Sequence, residues 1–230
     1  MIKELVQNKG EEMKIYDLTF EIESGMPTCG NPWHQTVEVS LMGTIDSVGR
    51  NTQRIVLGSH SGTHMDAPFH FIKDGITMEQ MNIELMWGKI TVVDMRHKKQ
   101  GDLVTLSELQ EIEMKERLLF AFGWYHNWKT KEYYNGFPYF ETEAIEYLIK
   151  SGVKVLALDT PSPDDGRAIM IKGKCDSPNH LALLENDVCV IEYLTNTDVL
   201  IGGREYEMVA LPLKLKGSDG SPARVLIKEE

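Results

Sequence analysis

The chain has 230 residues with 35 acidic against 24 basic side chains, a formal net charge of -11, 42% hydrophobic residues and 26% charged ones. That length suits one large domain, and the apolar share excludes disorder. The acidic excess, with no basic stripe to neutralise phosphates, excludes nucleic acid as a partner.

No apolar run approaches the roughly 20 residues of a bilayer-crossing helix. The opening MIKELVQNKGEEMK lacks the apolar stretch of a signal peptide, so a cytoplasmic location without a membrane partner is expected. Met1 to Glu12 reads as a loose extension ahead of one domain over 13–230. Short β-branched or apolar runs predict strands at Ile15 to Phe20, Thr36 to Leu41, Arg54 to Leu57, Ile90 to Met95, Leu118 to Phe122, Val153 to Leu158, Val188 to Tyr193 and Met208 to Leu215.

Three helices are expected. The first opens at Thr105 with a capping-box spacing to Glu108, and the second spans Thr142 to Lys150 with Ala144, Ile145, Leu148 and Ile149 on one face. The third begins with Ser177 as cap and Pro178 at the first helical position, which puts His180 in its first turn. Many strands and few helices predict an α/β or α+β domain with a mostly β core. Cys29, Cys175 and Cys189 form no CxxC pair or disulfide framework and read as reduced thiols.

Chemistry concentrates in Gly58 to His70, GSHSGTHMDAPFH, where three of the seven histidines and an aspartate fall within eleven residues. Imidazole and carboxylate are the donors that Zn²⁺ or Mn²⁺ accepts, and donors close in sequence converge with little loop ordering. His64 and Asp66 would share one face of an extended segment. Gly62 permits a sharp turn between the histidines, and Pro68 holds Ala67 extended, so the motif is a shaped loop rather than one helix. His34, His97 and His126 read as isolated surface or hydrogen-bonded residues.

The motif HxGTHxDxPxH, written here HSGTHMDAPFH, resembles the cyclase-like metal-dependent hydrolases that include bacterial kynurenine formamidase and isatin hydrolase. Resemblance continues in IYDLTFEIESGMP, GKITVVDM, VKVLALDTPSPD and HLALLENDVCVIEYLTN. It implies a swivelling β/β/α domain assembled as a homodimer or larger homo-oligomer. It further implies that His60, His64 and Asp66 hold the metal, that His70 acts as acid or base, and that His180 and Glu192 are further ligands. Asp66 then bridges two ions, or one ion uses a subset.

The residues alone leave Glu192 two uses, because a carboxylate inside the apolar run Val188 to Leu194 needs either a metal or a nearby Arg or Lys. The aromatic segment Gly123 to Phe140 is open between pocket lid, core and subunit interface. Asp159, Asp164 and Asp165, beside Pro161, Pro163 and Gly166, read as ordinary turn chemistry. The activity that the resemblance implies is metal-assisted hydrolysis of a small aryl formamide such as N-formylkynurenine. An isatin-like lactam or cyclic ester is the alternative substrate, and a non-hydrolytic cyclase or dehydratase the alternative reaction.

Overall fold

The computed structural model describes residues 14–167 and 176–229. The extension expected over Met1 to Glu12, and Cys175, lie outside them. The strands are β1 (Ile15–Asp17), β2 (Glu38–Gly43), β3 (Thr52–Val56), β4 (His64–Asp66), β5 (Trp87–Asp94), β6 (Leu103–Val104), β7 (Arg117–Ala121), β8 (Tyr139–Phe140), β9 (Val155–Leu158), β10 (Cys189–Glu192), β11 (Glu205–Pro212) and β12 (Gly220–Lys228). The helices are α1 (Ile45–Val48), α2 (Leu106–Gln110), α3 (Thr142–Lys150) and α4 (Pro178–Glu185).

One sheet runs β1-β12-β11-β5-β7-β9-β10-β4, and β4 pairs back onto β12, so seven strands close into a barrel with β1 alongside. β5, β7, β9 and β10 are mutually parallel, whereas β4, β11 and β12 pair antiparallel with their neighbours. A mixed α/β fold with a mostly β core is therefore present. β9 and β10 are buried along their whole length and β7 along all but its first residue, as expected of parallel strands covered on both faces.

Alternation along these strands separates two cores. Leu119, Ala121, Val155, Ala157, Cys189 and Ile191 point inward and join Met65, Ile90, Val92, Met208, Val225 and Ile227. Leu118, Phe120, Leu156, Leu158 and Val190 point outward and pack with Ile145 and Leu148 of α3 and Leu183 and Leu184 of α4.

α3 has the predicted bounds because its apolar residues keep a helical period, and α2 shows the predicted reciprocal Thr105–Glu108 cap. The expected Ser177 cap is corrected. Ser177 makes no side-chain capping bond, and the Asp164 carboxylate accepts the free backbone N–H groups of Asn179 (2.8 Å) and His180 (3.0 Å) instead. A carboxylate at a helix N-terminus meets both its free donors and its dipole. Among the described residues no helix is long and apolar enough to cross a membrane.

Candidate metal centre

β4 is short and places its residues by alternation. Met65 faces the barrel interior, so His64 and Asp66 face outward. Across the β4–β10 pair, Glu192 lies opposite His64, which brings a third donor to the same outer face. Before β4 the chain turns at Gly62, with φ +63°, and presents His60 beside the strand. His180 comes from the first turn of α4, held there by Asp164.

The five side chains converge. His60 Nδ1 lies 2.9 Å from Asp66 Oδ1, and His64 Nε2 lies 3.4 Å from both Asp66 Oδ1 and Glu192 Oε2. His180 Nε2 lies 2.9 Å from Glu192 Oε1 and 3.5 Å from Asp66 Oδ2. Two donor sets centre on Asp66, His60–His64–Asp66 and Asp66–His180–Glu192, and a third group, His60–His70–Asp219, lies beside them, the donor atoms of each within 4.8 Å of one another. Asp66 belongs to the first two, one oxygen turned to each.

Every imidazole in the two Asp66-centred sets is held by its other nitrogen. His60 Nε2–H donates to Asp219 Oδ2 (3.0 Å), His64 Nδ1–H to the Gly62 carbonyl (2.8 Å) and His180 Nδ1–H to Asp164 Oδ2 (2.7 Å). An ionised carboxylate or a carbonyl can only accept, so each outward nitrogen carries a proton, and in the neutral imidazole the lone pair is on the nitrogen facing Asp66 or Glu192. That arrangement of outer acceptors is the one seen around metal-ligating histidines.

The two oxygens of Asp66 are buried, and neither has a hydrogen bond of acceptable geometry although ring nitrogens stand close. An orphaned buried carboxylate is costly, and a cation between it and the rings is what satisfies it. The residues present fit a divalent ion. Without one, protons serve. Burial opposes a charged His60, but the Asp66 charge and the Asp219 hydrogen bond outweigh it and raise its pKa to about 10. His180 is also raised against its burial, by Glu192 and Asp164.

His70 stands apart from both Asp66-centred sets. Its Nδ1–H donates to Asp219 Oδ2 (3.2 Å), its ring lies 4.0 Å from that of His60, and its Nε2 makes no hydrogen bond among the described residues. The centre opens into a cavity of about 420 Å³ lined also by Cys29, Trp33, His34, Phe71, Tyr134, Phe137 and Tyr193. Phe71 stacks on His180 at 5.2 Å, and the Tyr193 ring lies 5.1 Å from His64. Tyr193, just past Glu192, is a buried aromatic at φ +57°, a costly conformation held by Thr63 Oγ1 donating to its carbonyl and by its own N–H donating to Thr160.

The chain is matched over residues 16–165 by the model of a family described as putative cyclase. It belongs to that family. This cyclase-family chain is 29% identical to a kynurenine formamidase of Erythrobacter litoralis strain HTCC2594 over 221 residues, 95% of each protein. It matches a structure described as a predicted metal-dependent hydrolase from Bacillus stearothermophilus at 27% identity and TM-score 0.72, covering 95% of this chain and 100% of that one. An isatin hydrolase bound to thioisatinate shares the fold, with TM-score 0.83 at 23% identity over 95% and 93% of the two chains.

Two sequence readings change. Asp164 is no mere turn residue, since it is buried and holds His180 by both backbone and ring. Asp159 is fully buried and accepts from the backbone N–H groups of Phe122 and Gly123 and from Thr197 Oγ1. His34 fits its reading as a hydrogen-bonded residue, with Nδ1 3.1 Å from Cys29 Sγ, and it also lines the cavity. Asp165, paired with Arg167, fits the turn reading, and His97 and His126 are exposed. The aromatic segment divides, with Trp124 and Tyr133 in the core and Tyr134 and Phe137 on the cavity wall.

Proposed function

We propose that this chain is a metal-dependent hydrolase of a small aryl formamide, converting N-formylkynurenine and water to kynurenine and formate. The orphaned Asp66 carboxylate, ringed by imidazoles whose outer nitrogens are already committed, carries this reading. His60, His64 and Asp66 would hold one ion, and Asp66, His180 and Glu192 a second, with Zn²⁺ or Mn²⁺ the ions that suit these donors. Such ions supply polarisation of the scissile carbonyl and acidification of water.

The chain's own residues do the rest. Phe71 and Tyr193 shield the histidines on which they pack, and Tyr134 and Phe137 give the cavity a flat aromatic wall for an aryl ring. His70, with Nδ1 committed to Asp219, takes a proton from water at Nε2 and returns it to the departing nitrogen.

The same cavity would accept an isatin-like lactam, and the likeness in fold to isatin hydrolase favours that as the second substrate. Exposed Leu41, Met42, Ile45, Val48 and Ile55 on the β2–β3 arm support homo-oligomerisation. Elemental analysis of purified protein, with formate release from N-formylkynurenine and ring opening of isatin measured side by side, tests the reading. A metal-free protein after expression in supplemented medium refutes it, and turnover with no new carboxylate points to the cyclase chemistry instead.

A further inference from the structure

We propose that Asp219 is a positioning residue that locks a metal ligand and the proton carrier to one another through a single oxygen. The inference rests on the metal-centre reading above and assigns a role to a residue outside its two Asp66-centred donor sets, one whose carboxylate lies with the donor atoms of His60 and His70 in a group within 4.8 Å. Asp219 Oδ2 accepts from His60 Nε2 at 3.0 Å and from His70 Nδ1 at 3.2 Å. The two rings lie 4.0 Å apart and tilted by 35°. Neither can turn about its χ2 axis without losing the shared acceptor, so Asp219 fixes at once which nitrogen of His60 faces Asp66 and which nitrogen of His70 stays available.

The carboxylate is itself held on a braced loop. The Asp219 carbonyl accepts the Ala67 N–H (2.9 Å), the Ser218 carbonyl accepts the Met78 N–H (2.9 Å), and the Gly217 N–H donates to Glu79 Oε2 (3.0 Å). Next in sequence, Gly220 pairs with Asp66 across β12 and β4. A Cβ at Gly220 would stand 2.7 Å from His60 Cε1, so the ring lies flush against the backbone that carries Asp219. These contacts tie the loop to the histidine motif at Asp66 and Ala67 and to the segment after it at Met78 and Glu79, and none depends on the Asp219 carboxylate. The loop survives when the carboxylate is changed.

A purely structural ion pair would stabilise the fold and leave the chemistry alone. Positioning predicts otherwise, since a carboxylate that orients a ligating histidine is worth about 10- to 100-fold in metal affinity or activity. Asp219→Asn keeps the shape, but its amide cannot accept from both rings through one charged oxygen, and Asp219→Ala removes the acceptor entirely.

The test uses the full-length, metal-loaded chain with three readouts. Chelator competition should show metal held about 10- to 100-fold more weakly in both variants. Turnover per bound metal should fall by a similar factor with KM within about twofold, the pattern of a group that acts after substrate binds. Imidazole ¹⁵N–¹H spectra should show the proton at Nε2 of His60 and Nδ1 of His70 in the wild-type chain and a tautomer mixture in Asp219→Asn. Wild-type metal retention and turnover in both variants, or a drop in melting temperature alone, would overturn the proposal. The metal reading is judged separately, on the metal content of the wild-type chain and of His60→Asn, and stands or falls whatever Asp219 does.

Discussion

His64 and Glu192 face one another across the antiparallel β4–β10 pair, His64 Nε2 3.4 Å from Glu192 Oε2. Among the described residues no arginine or lysine pairs with Glu192; its partners there are His64 and His180. Glu192→Ala and His180→Ala should therefore lower metal content together with rate. Metal analysis by mass spectrometry on both purified variants checks this, and full occupancy in either returns that residue to a structural role.

Gly220 gives a prediction that needs no charge change. Its absent Cβ is what admits His60, since an added one would meet His60 Cε1 at 2.7 Å and the Met65 carbonyl at 3.0 Å. Backbone cannot give way there, so the ring must. Gly220→Ala should weaken metal retention and turnover together while far-UV circular dichroism stays native. Wild-type metal content in that variant would mean the ring has room to spare.

Elements with a strong period of their own were legible. α3 matches its expected bounds because Ala144, Ile145 and Leu148 recur at helical spacing, and β9 stands out as an unbroken apolar run and β10 as one broken only by Glu192. β4 shows no apolar pattern in its three residues, but the extended segment expected to place His64 and Asp66 on one face is this strand. β12 was missed. Its buried Ala223, Val225 and Ile227 alternate with exposed Arg224 and half-buried Leu226 and Lys228, but Pro222 near its start masked the strand.

Within the site, the local cluster declared itself by spacing, whereas Asp164 and Asp219 did not. Each is one acidic residue in a turn-rich segment, and what makes it matter is a contact across the fold, Asp164 with His180 and Asp219 with His60 and His70. Pairing between distant segments leaves no trace in a single sequence. The place of His34 on the cavity wall escaped for the same reason.

The aromatic segment separates into two kinds of residue that mutation distinguishes. Tyr133 is fully buried in the outer core, and Tyr133→Ala should cost about 3 to 5 kcal/mol of stability, the usual cost of emptying a large aromatic site. Tyr134 lines the cavity, so Tyr134→Ala should raise KM for an aryl substrate more than it lowers the melting temperature. Denaturant melts and steady-state kinetics on the pair check the division. Equal effects on both readouts would place Tyr134 in the core too.

Asp159 gives a pH dependence with a definite sign. Burial raises its carboxyl from 3.8 to about 6, against the hydrogen bonds from Thr197, Phe122 and Gly123. The folded state thus holds this proton more tightly than the unfolded state. Its contribution to stability is full below about pH 4 and is lost as pH rises through about 6. The difference amounts to about 3 kcal/mol across that window. Urea unfolding of metal-free wild type and Asp159→Asn at pH 4 and pH 6.5 should show the variant gaining by about this amount relative to wild type. A constant gap between the two proteins would show that Asp159 titrates normally.

His70 separates role from mere proximity. It follows Asp66 by one turn beyond Pro68, lines the cavity, and lies outside both Asp66-centred donor sets. Its ring is oriented through Nδ1 by Asp219, and Nε2 is left without a partner among the described residues. A group placed to move a proton typically contributes about 10²- to 10⁴-fold to rate, and removing it leaves the metal in place. A ligand differs, because its loss lowers rate through the metal. His70→Asn should therefore retain metal and fold but lose at least about a hundredfold in kcat, while His60→Asn and His64→Asn lose metal and turnover together. Metal content and turnover measured on the same preparations decide the matter. Near wild-type kcat in His70→Asn would remove it from the reaction, and metal loss matching that of His60→Asn would make it a ligand, in which case the proton must travel through another group on the cavity wall, His34 being the nearest imidazole left to test.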